Sequence, residues 1–266
     1  LPPLTAINLP VVPDLDKASI PNLMALGCAL FLLKDKVPVL PEGIAGKILI
    51  GVFILSPFAT VLTNGDPLVF QLNAIQGMRI YDSVAAVANQ AIALLPFFLA
   101  RRYLAGPEAM RALLLALIAA GFAYSVPMLI ESRFSPQMNV WVYGFFQHDF
   151  FQTIRAGGYR PVVFLPHGLW VAFFTLMCVM ASLVLLRAAP AEARPKALAV
   201  LLYMLFLLYI CKSAGVMVYA VALGPLVLVL PARWQVAVAG LIAVVVLAYP
   251  ALRGLHLVPL NRILEI

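Results

Sequence analysis

The sequence predicts an all-α protein, a polytopic transmembrane helical bundle of about eight helices with an outward-facing polar loop at 131–167. Three observations carry this. The chain is 64% hydrophobic and only 11% charged, with a mean hydropathy of +1.02, whereas a soluble domain is about 25% charged. Its apolar runs have the length a helix needs to cross a bilayer core. They lack the roughly ten-residue alternation of outer-membrane strands. The net charge of +7 is then first a topology signal, and no nucleic-acid partner is expected.

The elements follow in chain order. Residues 1–21 are Pro-rich, with Asp14, Asp16 and Lys17, and read as a loop or re-entrant segment because Pro removes backbone donors. A short apolar run at 22–33 ends at Lys34-Asp35-Lys36. Residues 44–64 form a clear span with Pro57 as a tolerated kink. The 65–80 loop holds Gly65-Asp66-Pro67 turn chemistry and Arg79. Helices follow at 81–100, closed by Arg101-Arg102, and at 109–130. Beyond the 131–167 loop come helices at 168–186, 197–211, 214–230 and 234–252, and 253–266 opens a new polar segment. The expectation is one transmembrane domain over 1–266, a piece of a longer chain.

Sides follow from basic residues. Lys34, Lys36, Lys47, Arg101, Arg102, Arg111, Arg187, Arg194, Lys196 and Arg233 cluster in alternate short loops, which the positive-inside rule assigns to the cytoplasm. The 131–167 loop then faces outward. It holds His148 and His167, and all three His fall on the outward side.

Polar chemistry in so apolar a chain must sit where water or protein satisfies it. Arg155 and Arg160 flank Ala-Gly-Gly-Tyr. Two guanidiniums beside a Gly-Gly turn suit a phosphate or diphosphate, or else lipid headgroups. His167, after Pro166 at a helix mouth, suits a general base or a phosphate hydrogen-bond donor. His148-Asp149 lies among aromatics that read as an amphipathic surface helix. Lys212 sits at a break between apolar helices, where it must snorkel or meet an anion. Arg79, Glu131 and Asp82 are weaker candidates. Cys28, Cys178 and Cys211 fall in or at the ends of apolar runs without metal-ligand spacing, and read as small packing residues. No internal repeat, Gly-rich phosphate loop or nucleotide fingerprint is present.

Three pieces carry a resemblance: Pro96-Phe97-Phe98-Leu99-Ala100-Arg101-Arg102, Arg160-Pro-Val-Val-Phe-Leu-Pro-His167-Gly-Leu, and Cys211-Lys212-Ser213-Ala214-Gly215. Their order over about 45–266 resembles the O-antigen ligase and polysaccharide polymerase superfamily, including exopolysaccharide polymerases. Members often show Ser-Arg-Gly where this chain has Lys212-Ser213-Ala214-Gly215, so its basic residue is displaced and is Lys. The resemblance implies a membrane glycosyltransferase of the bacterial inner membrane, with its site at the periplasmic face. It would use no metal, cofactor or nucleotide sugar. Its partners would be an undecaprenyl-diphosphate-linked glycan donor, a glycan or lipid-linked acceptor, membrane lipids and other polysaccharide-assembly proteins. His167, Arg160 and His148 would then be catalytic, and Arg155, Lys212 and Arg79 substrate-binding. Two other classes stay open: a transporter or flippase of a lipid-linked or amphiphilic substrate, and a noncatalytic assembly subunit. The lack of a repeat and of an intramembrane acidic or His relay counts against the first. The polarity of the 131–167 loop counts against the second.

Overall fold

The computed structural model describes residues 15–16, 19–33, 40–70 and 73–255. The expectations for the Pro-rich entry with Asp14 and Lys17, for Lys34-Asp35-Lys36 and for 256–266 with His256 lie outside the described residues. The architecture is all-α, with nine α-helices among the described residues. They are α1 (Ser19–Gly27, continued by a π turn over Cys28–Leu32), α2 (Ile44–Thr63), α3 (Ile80–Tyr103), α4 (Pro107–Phe134), α5 (Met138–Tyr143), α6 (Gly168–Ala188), α7 (Arg194–Ile210), α8 (Ala214–Val229) and α9 (Ala232–Gly254). Two small antiparallel hairpins complete the set: β1 (Leu68–Phe70) with β2 (Asn73–Ile75), and β3 (Ile154–Arg155) with β4 (Gly158–Tyr159).

Helices α2, α3, α4, α6 and α9 are long and apolar enough to cross a membrane. Helix α9 has no buried residue, and Val236, Leu241, Val244 and Leu247 stand exposed along it. Apolar surface of this extent has a favourable environment only in lipid. The protein is an integral membrane protein.

The chain forms two compact units, residues 1–113 with 140–147, and residues 114–139 with 148–266. In the first, α3 packs against α1 and α2, and the Asn22 side-chain amide donates to Ile92 O at 3.3 Å. The core of the second is built on α6. Val171, Ala172, Cys178 and Val179 are fully buried there against Met204, Leu207 and Leu208 of α7 and Val216 of α8. Gly121 lets α4 join them, since a Cβ there would lie 3.0 Å from Cys178 Sγ and 3.1 Å from Met204 Sδ. The Cys178 thiol donates to Leu117 O at 3.2 Å. All three cysteines are free, with Cys178 and Cys211 buried.

The structure departs from the sequence expectation in four places. Helix α4 runs on to Phe134, so Glu131 lies in its last turn and not in a loop. The stop comes at Ser135, which has φ 91° and precedes Pro136, a residue that disfavours helical backbone before it. A further short helix, α5, follows inside the expected loop. The aromatic stretch around His148 is not an amphipathic helix. It bends and forms one 3₁₀ turn, Phe150–Thr153, whose first N–H groups Asp149 caps by accepting from Phe151 N at 3.0 Å. The expected 65–80 loop contains the β1–β2 hairpin.

Candidate active site

One end of the second unit gathers the end of α4, the 148–167 segment, the start of α6 and the α7–α8 turn. Glu131 ties the first two together. Its carboxylate is 1% exposed. Oε2 accepts from Val162 N at 2.8 Å and Val163 N at 2.7 Å, and Oε1 accepts from Met138 N at 2.9 Å. Phe164 N donates to Tyr124 Oη at 3.0 Å, which fixes the next residue of the same strip. A carboxylate holding three backbone donors anchors the strip that carries Arg160 and His167.

Arg160 is the central basic group. Its backbone N donates to Thr153 O at 2.8 Å. Its side chain is 6% exposed, with Nη2 donating to Ser213 Oγ at 3.4 Å. Nε is buried and has no hydrogen-bond partner among the described residues. The stem lies along the start of α6, where a Cβ on Gly168 would come within 2.7 Å of Nε. Burial pushes the guanidinium below its ordinary pKa; Arg155 adds to this and Cys211 opposes it. No carboxylate of the described residues figures among these influences. A desolvated cation facing no anion is costly and creates a place where one binds favourably.

Arg155 and Lys212 flank this group. Arg155 pairs with Gly158 across a two-residue turn, Ala156-Gly157. Both turn residues have positive φ, 45° and 68°, which is the geometry that suits a tight hairpin and that glycine adopts without cost. Lys212, itself at φ 47°, donates from Nζ to Arg155 O at 3.0 Å. An ammonium has three protons, so others remain for a ligand. Beside them opens a cavity of about 480 Å³, lined by Lys212, Ser213, Ala156 and Ser132 together with Tyr209, Ile210, Ala214 and Met217. It is basic and hydroxylic on one part of its wall and apolar on another.

The two histidines meet at the same end. Their ring centroids are 4.2 Å apart, edge to face. His167 is the N-cap of α6, with Nδ1 accepting from Leu169 N at 2.9 Å. His148 Nε2 lies 3.0 Å from Gln152 Oε1. Burial, followed by His148, Arg160 and Arg155, holds His167 below the ordinary imidazole pKa.

The structure thus brings Arg160, Arg155, His148, His167 and Lys212 to one end of the second unit. Arg79 belongs to the first unit, where it forms the N-terminal capping box of α3: its backbone N donates to Asp82 Oδ2 at 2.7 Å, and Nη2 lies 3.4 Å from Gln76 Oε1. Ser213, Gln152 and Tyr124 are site neighbours that sequence reasoning did not single out. Ser213 entered only as part of the Cys211-Lys212-Ser213-Ala214-Gly215 piece, and the other two carried no signal. Among the described residues no group of three or more His, Cys, Asp or Glu is arranged to hold a metal ion. Comparison of the chain with family models, curated proteins and solved structures finds no match.

Proposed function

We propose that this membrane protein is a glycosyltransferase that takes a glycan from a polyprenyl-diphosphate carrier in bacterial cell-surface polysaccharide assembly, as a polymerase or a ligase. Its site would lie at the periplasmic face of the inner membrane. The observation that carries the reading is Arg160: a buried guanidinium with an unsatisfied Nε, beside Ser213, Lys212 and two histidines, at the end of apolar helices. Such a group suits an anion that arrives along the bilayer. The mixed wall of the Lys212–Met217 cavity suits an amphiphile with a charged head.

In the reaction an acceptor hydroxyl oxygen bonds to the anomeric carbon of the donor. The bond from that carbon to the diphosphate breaks, and its electron pair stays on the diphosphate oxygen. The hydroxyl proton passes to a basic group at the site. Arg160 and Lys212 stabilise the charge that grows on the leaving group, and their fixed positions supply much of the acceleration. Arg155, exposed at the hairpin, meets the outer part of the headgroup.

The test is the polysaccharide made per unit of membrane-inserted, full-length protein in a strain lacking the native copy. Arg160→Ala is expected to lower output by roughly 100-fold or more, the scale seen on removing one charge-stabilising donor. Arg160→Lys is expected to recover part, because it keeps charge but loses the planar fork. Wild-type output from Arg160→Ala at equal abundance removes the residue from the site. Failure of the purified wild-type chain to release polyprenyl diphosphate from a lipid-linked glycan removes the reading itself.

A further inference from the structure

We infer that the two histidines have opposite roles: His148 accepts a proton at Nδ1, Gln152 positions it, and His167 donates a hydrogen bond from Nε2 to an anionic oxygen. The argument is one of donor and acceptor satisfaction. A neutral imidazole carries one N–H and one lone pair. Gln152 Oε1 is an acceptor, so the His148 nitrogen facing it at 3.0 Å, Nε2, bears the hydrogen. The lone pair of His148 is then on Nδ1, where no protein donor meets it among the described residues. His167 is engaged the other way round. Its Nδ1 lone pair accepts the Leu169 N–H at 2.9 Å, which leaves Nε2 bearing the hydrogen and no lone pair to offer.

Both rings are the same tautomer, yet one presents an acceptor and the other a donor, with centroids 4.2 Å apart. The charged groups around them fit this division. Burial first, and then His148, Arg160 and Arg155, oppose a positive charge on His167. That keeps His167 a neutral donor beside the basic groups. Asp149, next to His148 in sequence, spends Oδ1 on capping Phe151 N, so Gln152 is the side chain that sets the orientation of the His148 ring. Sequence reasoning leaves His167 as either a general base or a phosphate donor; the hydrogen bonds favour the donor role and give the base role to His148.

The assignment rests on the glycosyltransferase reading for its chemistry but not for its geometry. In the transfer step the hydroxyl proton moves to His148 Nδ1, giving the imidazolium, while His167 Nε2–H binds a diphosphate oxygen that gains the departing electron pair.

Two measurements on the full chain separate the two levels. In ¹⁵N-histidine-labelled protein, both rings are expected as the Nε2–H tautomer, and inorganic pyrophosphate is expected to shift the His167 Nε2–H resonance. That shift is expected to be lost in Arg160→Ala. An Nδ1–H tautomer at either ring, or no response of His167 to saturating pyrophosphate, overturns the assignment whatever reaction the protein performs. In the transfer assay, His148→Gln is expected to cost about 100-fold or more, as for loss of a general base. It is also expected to abolish the acid limb of the pH–rate profile. His167→Asn keeps a capping oxygen and an N–H nearby, and is expected to lower the rate while leaving the acid limb intact. His167→Asp keeps the cap without the donor and is expected to fall at least tenfold below His167→Asn. Gln152→Glu is expected to move the acid limb to higher pH, since a carboxylate favours the imidazolium. An acid limb that disappears with His167→Asn and survives His148→Gln reverses the roles and overturns the inference. If the wild-type chain transfers no glycan, the functional reading falls while the tautomer result stands.

Discussion

At the scale of single residues, the polar end of the second unit is organised by satisfaction of buried groups. Glu131 is satisfied by three backbone donors, and Arg160 is left with one polar atom unmet. The first is architecture, and the second is the group on which the proposed function rests. Arg160 was a candidate in the sequence, while Glu131 was only a weak one. The Glu131 pairing joins positions 31 and 32 residues apart, and the Arg160–Ser213 contact joins positions 53 apart. Local windows of sequence do not contain such pairings. His167 permits a test of stability against pH. Its folded pKa lies below the ordinary value, so below about pH 6.5 the unfolded chain binds a proton that the folded chain resists. The contribution of His167 is therefore fully present above that pH and is lost as pH falls toward its folded pKa. The midpoint of thermal unfolding in detergent, wild type minus His167→Asn, is expected to drop on going from pH 7.5 to pH 5. A difference that rises over this interval contradicts the burial of the imidazole.

At the scale of elements, hydropathy located every described α-helix except α5, and local breakers located some of the ends. The errors concentrate where no spanning run exists. The extension of α4 to Phe134 and the short α5 add helix inside a segment whose composition is mixed. The aromatics around His148 are held in a 3₁₀ turn by the Asp149 cap and by the Arg160 N to Thr153 O bond, not by helical periodicity. The junction of this segment with α6 is tightly packed. Gly168 opens α6 directly against the Arg160 stem, with Nε, Cδ and Cγ at 2.7, 2.8 and 3.0 Å from the position of an added Cβ. Alanine is the better helix former by up to about 1 kcal/mol, so Gly168→Ala is expected to leave helix formation and abundance unimpaired. It displaces the guanidinium, however, and a misplacement of about 1 Å costs on the order of 100-fold in rate. Activity in the same cell-based assay is expected to fall toward that of Arg160→Ala. Full activity in Gly168→Ala shows that Arg160 has room to relax, and that its observed position is not the one that matters.

At the scale of the whole molecule, the helices of the second unit run between two chemically different ends. The start of α6, the end of α7 and the start of α8 meet at Arg160, Lys212 and Ser213. At the other end Arg187 closes α8, donating from Nη1 to Val227 O at 2.6 Å and Leu230 O at 2.7 Å. Helices α7 and α8, of 17 and 16 residues, are about 25 Å long, somewhat less than a hydrocarbon core of about 30 Å. A helix this short is matched to the bilayer by snorkelling of end residues such as Arg194 and Lys196 or by local thinning of the bilayer. Both ends of this bundle are therefore basic. Orientation rests on the excess of Lys and Arg in the short loops around Arg101-Arg102, Arg111, Arg187, Arg194, Lys196 and Arg233. Reporter fusions after Gly106 and Ala191 are expected to report cytoplasm, and fusions within 136–160 to report periplasm. The consequence reaches the chemistry, because Arg160, Lys212 and both histidines share the end that the 136–160 fusions sample. A cytoplasmic signal from that segment puts the basic cavity on the inner face, where an outward-presented lipid-linked donor does not meet it, and the glycosyltransferase reading fails with it.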